Sequence, residues 1–315
     1  MLKNNFFQQD ILTADQFTHA DLQLILECGK KMKKIVETKG STDILKGKLM
    51  TALFYEPSSR TFGSFIAAMQ RLGGSFIPLQ GVSYSSVSKG ETLADTIRTF
   101  ACYSDIVVIR HPDLGSARIA ADFSEKPIIN AGDGVGEHPS QALLDFFTIS
   151  DHFQSPESLT VTMVGDLLNG RTVHSLSKLL SLYKSMKINL VSPDILRLPS
   201  GLLEKLRERG VIIHESTTLD DVLHETDVLY VTRVQKERFT DLDLYEKLKD
   251  DYIITPALLK RAKKSAIIMH PLPRVGEITM DVDLDKRAVY ITEQMRNGMY
   301  VRMALLALIL QKEGV

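Results

Sequence analysis

Ser58, Ser59, Arg60 and Thr61 sit where an apolar run, Leu49 to Phe54, gives way to an amphipathic one. Phe62, Phe65, Ile66, Met69 and Leu72 follow at helical spacing, so these four polar residues stand where a strand hands over to a helix. A helix N-terminus presents unpaired N–H groups and the positive end of the helix dipole. A guanidinium fork and three hydroxyls added there suit an oxyanion, phosphate above all. A serine N-cap with a solvated arginine is the simpler alternative.

Four further clusters end apolar runs in the same way. Arg110-His111-Pro112 follows IVVI, and an arginine closing a buried strand keeps its proton and needs an anion to face. In Gly132-Asp133-Gly134-Val135-Gly136-Glu137-His138-Pro139-Ser140-Gln141 the glycines permit close backbone approach. His138 there could donate to a carbonyl oxygen or simply cap the next helix. Gly165-Asp166-Leu167-Leu168-Asn169-Gly170-Arg171-Thr172 matches a P-loop except that Arg171 stands in place of the lysine. A P-loop lysine is a compact charge inside a tight loop, which a guanidinium cannot imitate. In His270-Pro271-Leu272-Pro273-Arg274 the prolines remove donors, hold the chain extended and leave carbonyls free to accept from an amine.

Positioning these groups takes a repeated strand–helix alternation. Strand-like runs are predicted at 48–54, 104–110, 126–130, 159–164, 188–192, 211–216, 227–232 and 266–271. Helix-like segments are predicted at 20–36, behind a Thr18 cap, at 139–152, after Gly170, near 200–209, near 218–225 and at 295–312. This alternation implies an α/β fold of mainly parallel sheets flanked by helices, with ligands at the carboxyl ends of the strands. At 315 residues two domains are the default, and the polar stretch 152–158 (HFQSPES) marks the boundary. Periodicity does not say which half the last helix joins.

Composition narrows the function further. With 38 basic against 39 acidic residues, net charge -1, nothing draws the chain as a whole to nucleic acid or an anionic membrane. Two cysteines, Cys28 and Cys102, argue against a disulfide framework or a cysteine zinc site. The opening MLKNNFFQQD lacks a signal-peptide core, and the apolar run Met303 to Leu310 is far short of the ~20 residues of a membrane span. A soluble, cytoplasmic protein is expected.

Taken together, the segments SSRT, the Ser-rich loop ending Lys89-Gly90-Glu91, RHP, GEHPSQALLD, GDLLNGRTVHSL, TRVQKERF and HPLPR resemble the aspartate carbamoyltransferase family in order and spacing. The resemblance covers nearly the whole chain, to Arg296-Asn297-Gly298 in the last helix. Ornithine carbamoyltransferases share the SxRT and HPxQ segments but typically carry a cysteine-containing HCLP motif where this chain has His270-Pro271-Leu272-Pro273.

The resemblance implies transfer of a carbamoyl group from carbamoyl phosphate to L-aspartate, an early step of pyrimidine biosynthesis, with no metal or cofactor. It implies a carbamoyl-phosphate-binding domain, 1–150 joined by the C-terminal helix 292–315, and an aspartate-binding domain, 151–291, with the site in the crevice between them. Ser58, Ser59, Arg60 and Thr61 would hold the phosphate. Thr61, Arg110 and His138 would contact the carbamoyl oxygen, and Gln141 with the backbone carbonyls of Pro271 and Leu272 would take the carbamoyl amide. Arg171, Arg233 and Gln235 would bind the carboxylates of aspartate. Ser85 and Lys89 would reach in from a neighbouring subunit of a homotrimer, which could join regulatory or other pyrimidine-pathway subunits. A loop 81–90 could span roughly 33 Å when extended, enough for such delivery. Ser59, Phe62, Leu168 and Gly276 depart from the usual family residues. The alternatives are an ornithine or other amino-acid carbamoyltransferase, a P-loop-like nucleotidase and a non-catalytic scaffold.

Overall fold

The computed structural model describes residues 4–81, 86–235, 241, 243, 245 and 252–313. The chain divides into two compact units, Met1–Phe147 with Arg296–Val315, and Thr148–Met295. Each is built on a wholly parallel sheet flanked by helices, the α/β architecture expected from the alternation of apolar patterns.

The first unit contains α1 (His19–Lys39), β1 (Leu49–Phe54), α2 (Ser59–Arg71), β2 (Ser75–Gln80), α3 (Leu93–Tyr103), β3 (Ile106–His111), α4 (Ser116–Asp122) and β4 (Ile128–Asp133). Its sheet order is β2-β1-β3-β4. α5 (Pro139–Phe153) begins here and runs on past the division at Phe147. The inner strands are buried nearly end to end, whereas β2 at the edge alternates between exposed and half-buried positions. That contrast explains why β1 and β3 are plain in the sequence and β2 is not. Pro78 lies inside β2, and proline in a strand is tolerated at an edge, where the missing donor costs no ladder bond.

In the second unit β5 (Thr160–Val164), α6 (Arg171–Leu180), β6 (Lys187–Val191), α7 (Ser200–Glu208), β7 (Ile212–Ser216), β8 (Val228–Val231) and β9 (Ile267–Met269) form a sheet ordered β7-β6-β5-β8-β9. The helix expected near 218–225 is only a short 3-10 turn, Leu223–Glu225. Its start is taken by side chains: Thr218 N–H donates to Ser216 Oγ at 3.0 Å, and Ser216 Oγ donates to Asp221 at 3.1 Å. Ser, Thr and Asp compete in this way with the backbone bonds a helix needs.

The C-terminal helix, Glu293–Leu310, returns from the far end of the sequence, and from Arg296 onward it belongs to the first unit. Residues 301–310 are buried on every side. A helix buried all round shows no apolar stripe, which is why periodicity could not assign it. Among the described residues no helix is long and apolar enough to cross a membrane.

Candidate active site

In each sheet the chain reverses direction once, and crevices at the carboxyl ends of parallel strands open at such reversals. In the first unit the reversal lies between β1 and β3, where Phe54 is paired with Arg110. β1 therefore delivers Ser58 to Thr61 at the start of α2, beside the arginine that ends β3. Ser58 occupies the N-cap position, yet its side chain makes no capping hydrogen bond. The simple serine-cap alternative thus lacks its defining contact. Ser59 and Arg60 are exposed and Thr61 is buried. Partial burial, by desolvating the charge, pulls the Arg60 guanidinium below its usual pKa. Phe62, one of the family departures, packs edge-on against Phe54 with ring centroids 5.2 Å apart, so it braces α2 on β1.

Arg110 is held from two sides. Its Nη2 lies 3.1 Å from Glu56 Oε2, and its Nη1 donates to Ala131 O at 3.4 Å. A guanidinium fixed between a carboxylate and a backbone carbonyl keeps its remaining N–H groups in a set direction. The neighbouring His111 ring lies tilted against that of Tyr55 with centroids 4.5 Å apart, and burial lowers its pKa despite the charges of Asp113 and Glu56.

The loop after β4 is organised by Asp133. Its carboxylate accepts from Glu137 N–H at 2.8 Å, Asn130 Nδ2 at 3.2 Å and Gly115 N–H at 3.1 Å, tying the ends of β3 and β4 together. Gly134 needs its freedom: its φ is +53°, and a Cβ would stand 2.6 Å from Pro112 O. The tied loop presents His138, 4% exposed, just before α5, with Ser140 Oγ 3.4 Å from its Nδ1. Gln141 follows in the first turn and donates from Nε2 to Asp145 Oδ1 at 3.0 Å. Lys89 ends a 3-10 turn, Ser86–Lys89, and is exposed. The segment after it is anchored by Thr96 Oγ1, which donates to Glu91 at 2.7 Å, and by the Thr92 cap of α3. Ser85 lies outside the described residues.

The second unit repeats the plan between β5 and β8. Gly165 ends β5 with φ +118°, and a Cβ there would come within 2.1 Å of Thr232 O, so only glycine lets the two strand ends approach. Asp166, fully buried, accepts from the backbone N–H and Nδ2 of Asn169 at 2.9 and 3.2 Å. A carboxylate thereby fills the loop interior where a P-loop would cradle phosphate, and its charge repels one. Arg171 opens α6, and Arg233 follows β8. Gln235 Nε2 donates to Asn169 O at 3.0 Å, drawing the β8 exit onto the Arg171 loop.

Beyond β9, Leu272 adopts φ +56° before a cis peptide bond to Pro273, a turned rather than an extended path for the HPLPR segment. Its N–H donates to His270 Nδ1 at 2.8 Å, and His270 Nε2 lies 2.7 Å from Glu277 Oε1. Glu277 Oε2 accepts from Val275 and Gly276 N–H, both at 2.9 Å. This closed ring of bonds fixes the backbone carrying the Pro271 and Leu272 carbonyls. Arg274 faces Asp283 and donates to Tyr290 Oη at 3.0 Å, so it is a structural arginine of this loop. Glu277 and Asp145 were missed as functional positions by sequence reasoning. Each lies four to seven residues past a chosen residue, and no local pattern marks a partner at that distance.

The structure thus gathers Ser58–Thr61, Arg110, His138 and Gln141 at adjacent strand ends of the first unit, and Arg171, Arg233, Gln235, Pro271 and Leu272 at those of the second. Residues 9–151 match the carbamoyl-P binding domain of aspartate/ornithine carbamoyltransferases, and residues 157–309 match their Asp/Orn binding domain. Multifunctional protein pyr1-3 of Dictyostelium discoideum is 52% identical over 306 residues, which are 97% of this chain but only 14% of that protein's length. The aspartate carbamoyltransferase catalytic subunit of Thermococcus gammatolerans is 48% identical over 96% of this chain and 97% of its own. Aspartate transcarbamoylase from Trypanosoma cruzi, crystallised with carbamoyl phosphate and aspartate, superposes with a TM-score of 0.93 at 45% identity, covering 98% of both chains. The chain belongs to the aspartate/ornithine carbamoyltransferase family.

Proposed function

We propose that this protein transfers the carbamoyl group of carbamoyl phosphate to L-aspartate, giving N-carbamoyl-L-aspartate and phosphate, an early step of pyrimidine biosynthesis. One observation carries the reading: an uncapped, arginine-bearing helix start at the end of β1 stands beside the braced Arg110 at the end of β3. That is a receptor for a phosphate joined to a polar carbonyl. Relatives named as aspartate carbamoyltransferases support the choice of aspartate.

In this mechanism Ser58, Ser59, Arg60 and Thr61 hold the phosphate on the helix N-terminus. Attack of the aspartate amine on the carbamoyl carbon puts negative charge on the carbamoyl oxygen. Thr61, Arg110 and His138 donate to it, and prepositioned donors of this kind stabilise the transition state more than the ground state. Gln141 Oε1 and the carbonyls of Pro271 and Leu272 accept from the carbamoyl NH2. Arg171 and Arg233 each grip a carboxylate, with Gln235 beside them. The C–O bond to phosphate breaks, and a phosphate oxygen takes the amine proton.

The first unit is accordingly the carbamoyl-phosphate domain and the second the aspartate domain, their divisions at Phe147 and Arg296 falling within four residues of the 150 and 292 expected from the sequence. The working assembly is a cytoplasmic homotrimer in which Ser85 and Lys89 serve a neighbour's site, open to further regulatory or pyrimidine-pathway subunits. The length of the Dictyostelium relative supports such company.

The test incubates the protein with 13C-labelled carbamoyl phosphate and either L-aspartate or L-ornithine. The carbamoyl carbon should appear on aspartate. Transfer to ornithine alone, or hydrolysis without transfer, contradicts the reading. Mixing an Arg60→Ala chain with a Lys89→Ala chain should restore part of the activity if sites are shared, and none if each chain is complete.

A further inference from the structure

Gln141 is asked to accept a hydrogen bond from the carbamoyl nitrogen, yet a glutamine amide can present oxygen or NH2 with nearly equal shape. Whichever way it turns, its outward face decides what it recognises. Asp145 stands one helical turn on along α5, is fully buried, and receives Gln141 Nε2 at 3.0 Å. A carboxylate only accepts, so it takes the NH2 and leaves the oxygen facing away.

A buried acid needs a counter-charge, and it comes from the last helix. Arg302 is 3% exposed, and its guanidinium lies over the Phe65 ring at 5.1 Å from the centroid. Burial draws its pKa down to about 10, opposed by the charge of Asp145. Gly298, in the Arg296-Asn297-Gly298 segment, makes the room: a Cβ there would sit 2.6 Å from Arg302 Nη1 and 3.2 Å from Leu144 Cδ2. Arg302 thus links the C-terminal helix to α2, which carries the phosphate residues, and to α5, which carries Gln141.

We propose that Asp145, backed by Arg302, is a positioning residue that locks the Gln141 amide with its oxygen toward the carbamoyl nitrogen, so that the site tells carbamoyl phosphate from acetyl phosphate. The proposal rests on carbamoyl phosphate being the ligand of the first unit. The two compounds have nearly the same shape, NH2 against CH3, so fixed acceptors separate them, and among these Gln141 is the one that can turn a donor outward instead. Freed from Asp145, the amide can turn its NH2 outward, donor facing donor.

The experiment measures, by calorimetry on the full chain, the dissociation constants of carbamoyl phosphate, acetyl phosphate and inorganic phosphate for the wild type and Asp145→Asn. The wild type should prefer carbamoyl over acetyl phosphate. In Asp145→Asn, carbamoyl phosphate should weaken by about tenfold to a hundredfold, the loss of one well-placed charge-assisted contact, while the other two ligands hold their affinity. If Asp145→Asn does not fold, Asp145→Asn with Arg302→Met removes both buried charges together and poses the same question. A variant that keeps the wild-type preference, or loses all three ligands equally, overturns the positioning role. A wild type that binds phosphate but shows no preference between the two acyl phosphates overturns it too. A wild type that binds none of the three refutes the underlying ligand assignment instead.

Discussion

His270 Nε2 and Glu277 Oε1 lie 2.7 Å apart in the interior of the second unit, and the other ring nitrogen of His270 receives the Leu272 N–H. Because Nδ1 accepts, Nε2 carries the proton and donates a hydrogen bond to Glu277, which fixes both the tautomer and the ring. The carbonyls of Pro271 and Leu272 then point where the ring holds them. Glu277→Gln keeps the shape and weakens the bond, so the carbamoyl phosphate KM should rise about tenfold with a smaller change in kcat, read from steady-state kinetics. An unchanged KM would remove the pair from any part in positioning.

The same pair sets a pH dependence of stability. Burial alone would raise the Glu277 pKa, but the hydrogen bonds from His270 Nε2 and the Val275 N–H outweigh it and hold the group at about 2, against an ordinary 4.5. A carboxyl depressed by folding contributes its stability fully above 4.5 and loses it as pH falls toward 2. Urea midpoints measured across that window should fall more steeply for the wild type than for Glu277→Gln. Parallel curves would contradict the assignment.

Gly165 is a purely steric case. A methyl group at this position would meet Thr232 O at 2.1 Å, and the backbone already sits at φ +118°. Gly165→Ala should therefore destabilise the second unit by about 2–4 kcal/mol, seen as a lowered melting temperature, and should weaken aspartate binding by moving Arg171 and Arg233 apart. Wild-type stability in this variant would mean that the two strand ends can yield without cost.

The proposed role of Arg171 and Arg233 at the aspartate carboxylates depends on the guanidinium fork as well as on charge. Lysine keeps the charge and loses the fork, so Arg171→Lys should raise the aspartate KM by about tenfold or more while leaving carbamoyl phosphate affinity alone. A rise in both constants would point to a fault in folding or in the phosphate subsite.

What the sequence made legible was whatever is written locally. The inner strands β1, β3 and β5 read as mainly apolar runs because both faces are covered, and the polar clusters at their ends mark the carboxyl edge of each sheet. β2 escaped because an edge strand alternates and carries Pro78. The apolar pattern near 218–225 predicts a helix where only the turn Leu223–Glu225 forms, because hydrogen bonds among Ser216, Thr218 and Asp221 leave no trace in such a pattern. Ser58–Thr61, Arg110, His138, Gln141, Arg171 and the HPLPR carbonyls stood out by type and spacing, and Arg233, Gln235, Ser85 and Lys89 only through the family resemblance. The supports, Glu56 for Arg110, Asp145 for Gln141 and Glu277 for His270, are recognised only once the chain has folded.

The most direct measurement titrates N-(phosphonacetyl)-L-aspartic acid, which joins a phosphonate to two carboxylates, into the wild type and Arg60→Ala. Tight saturable binding to the wild type, weakened about a hundredfold or more by loss of the guanidinium at the start of α2, is the predicted result. Equal affinity for both proteins, or no binding to either, would mean that α2 and Arg60 do not receive a phosphoryl group.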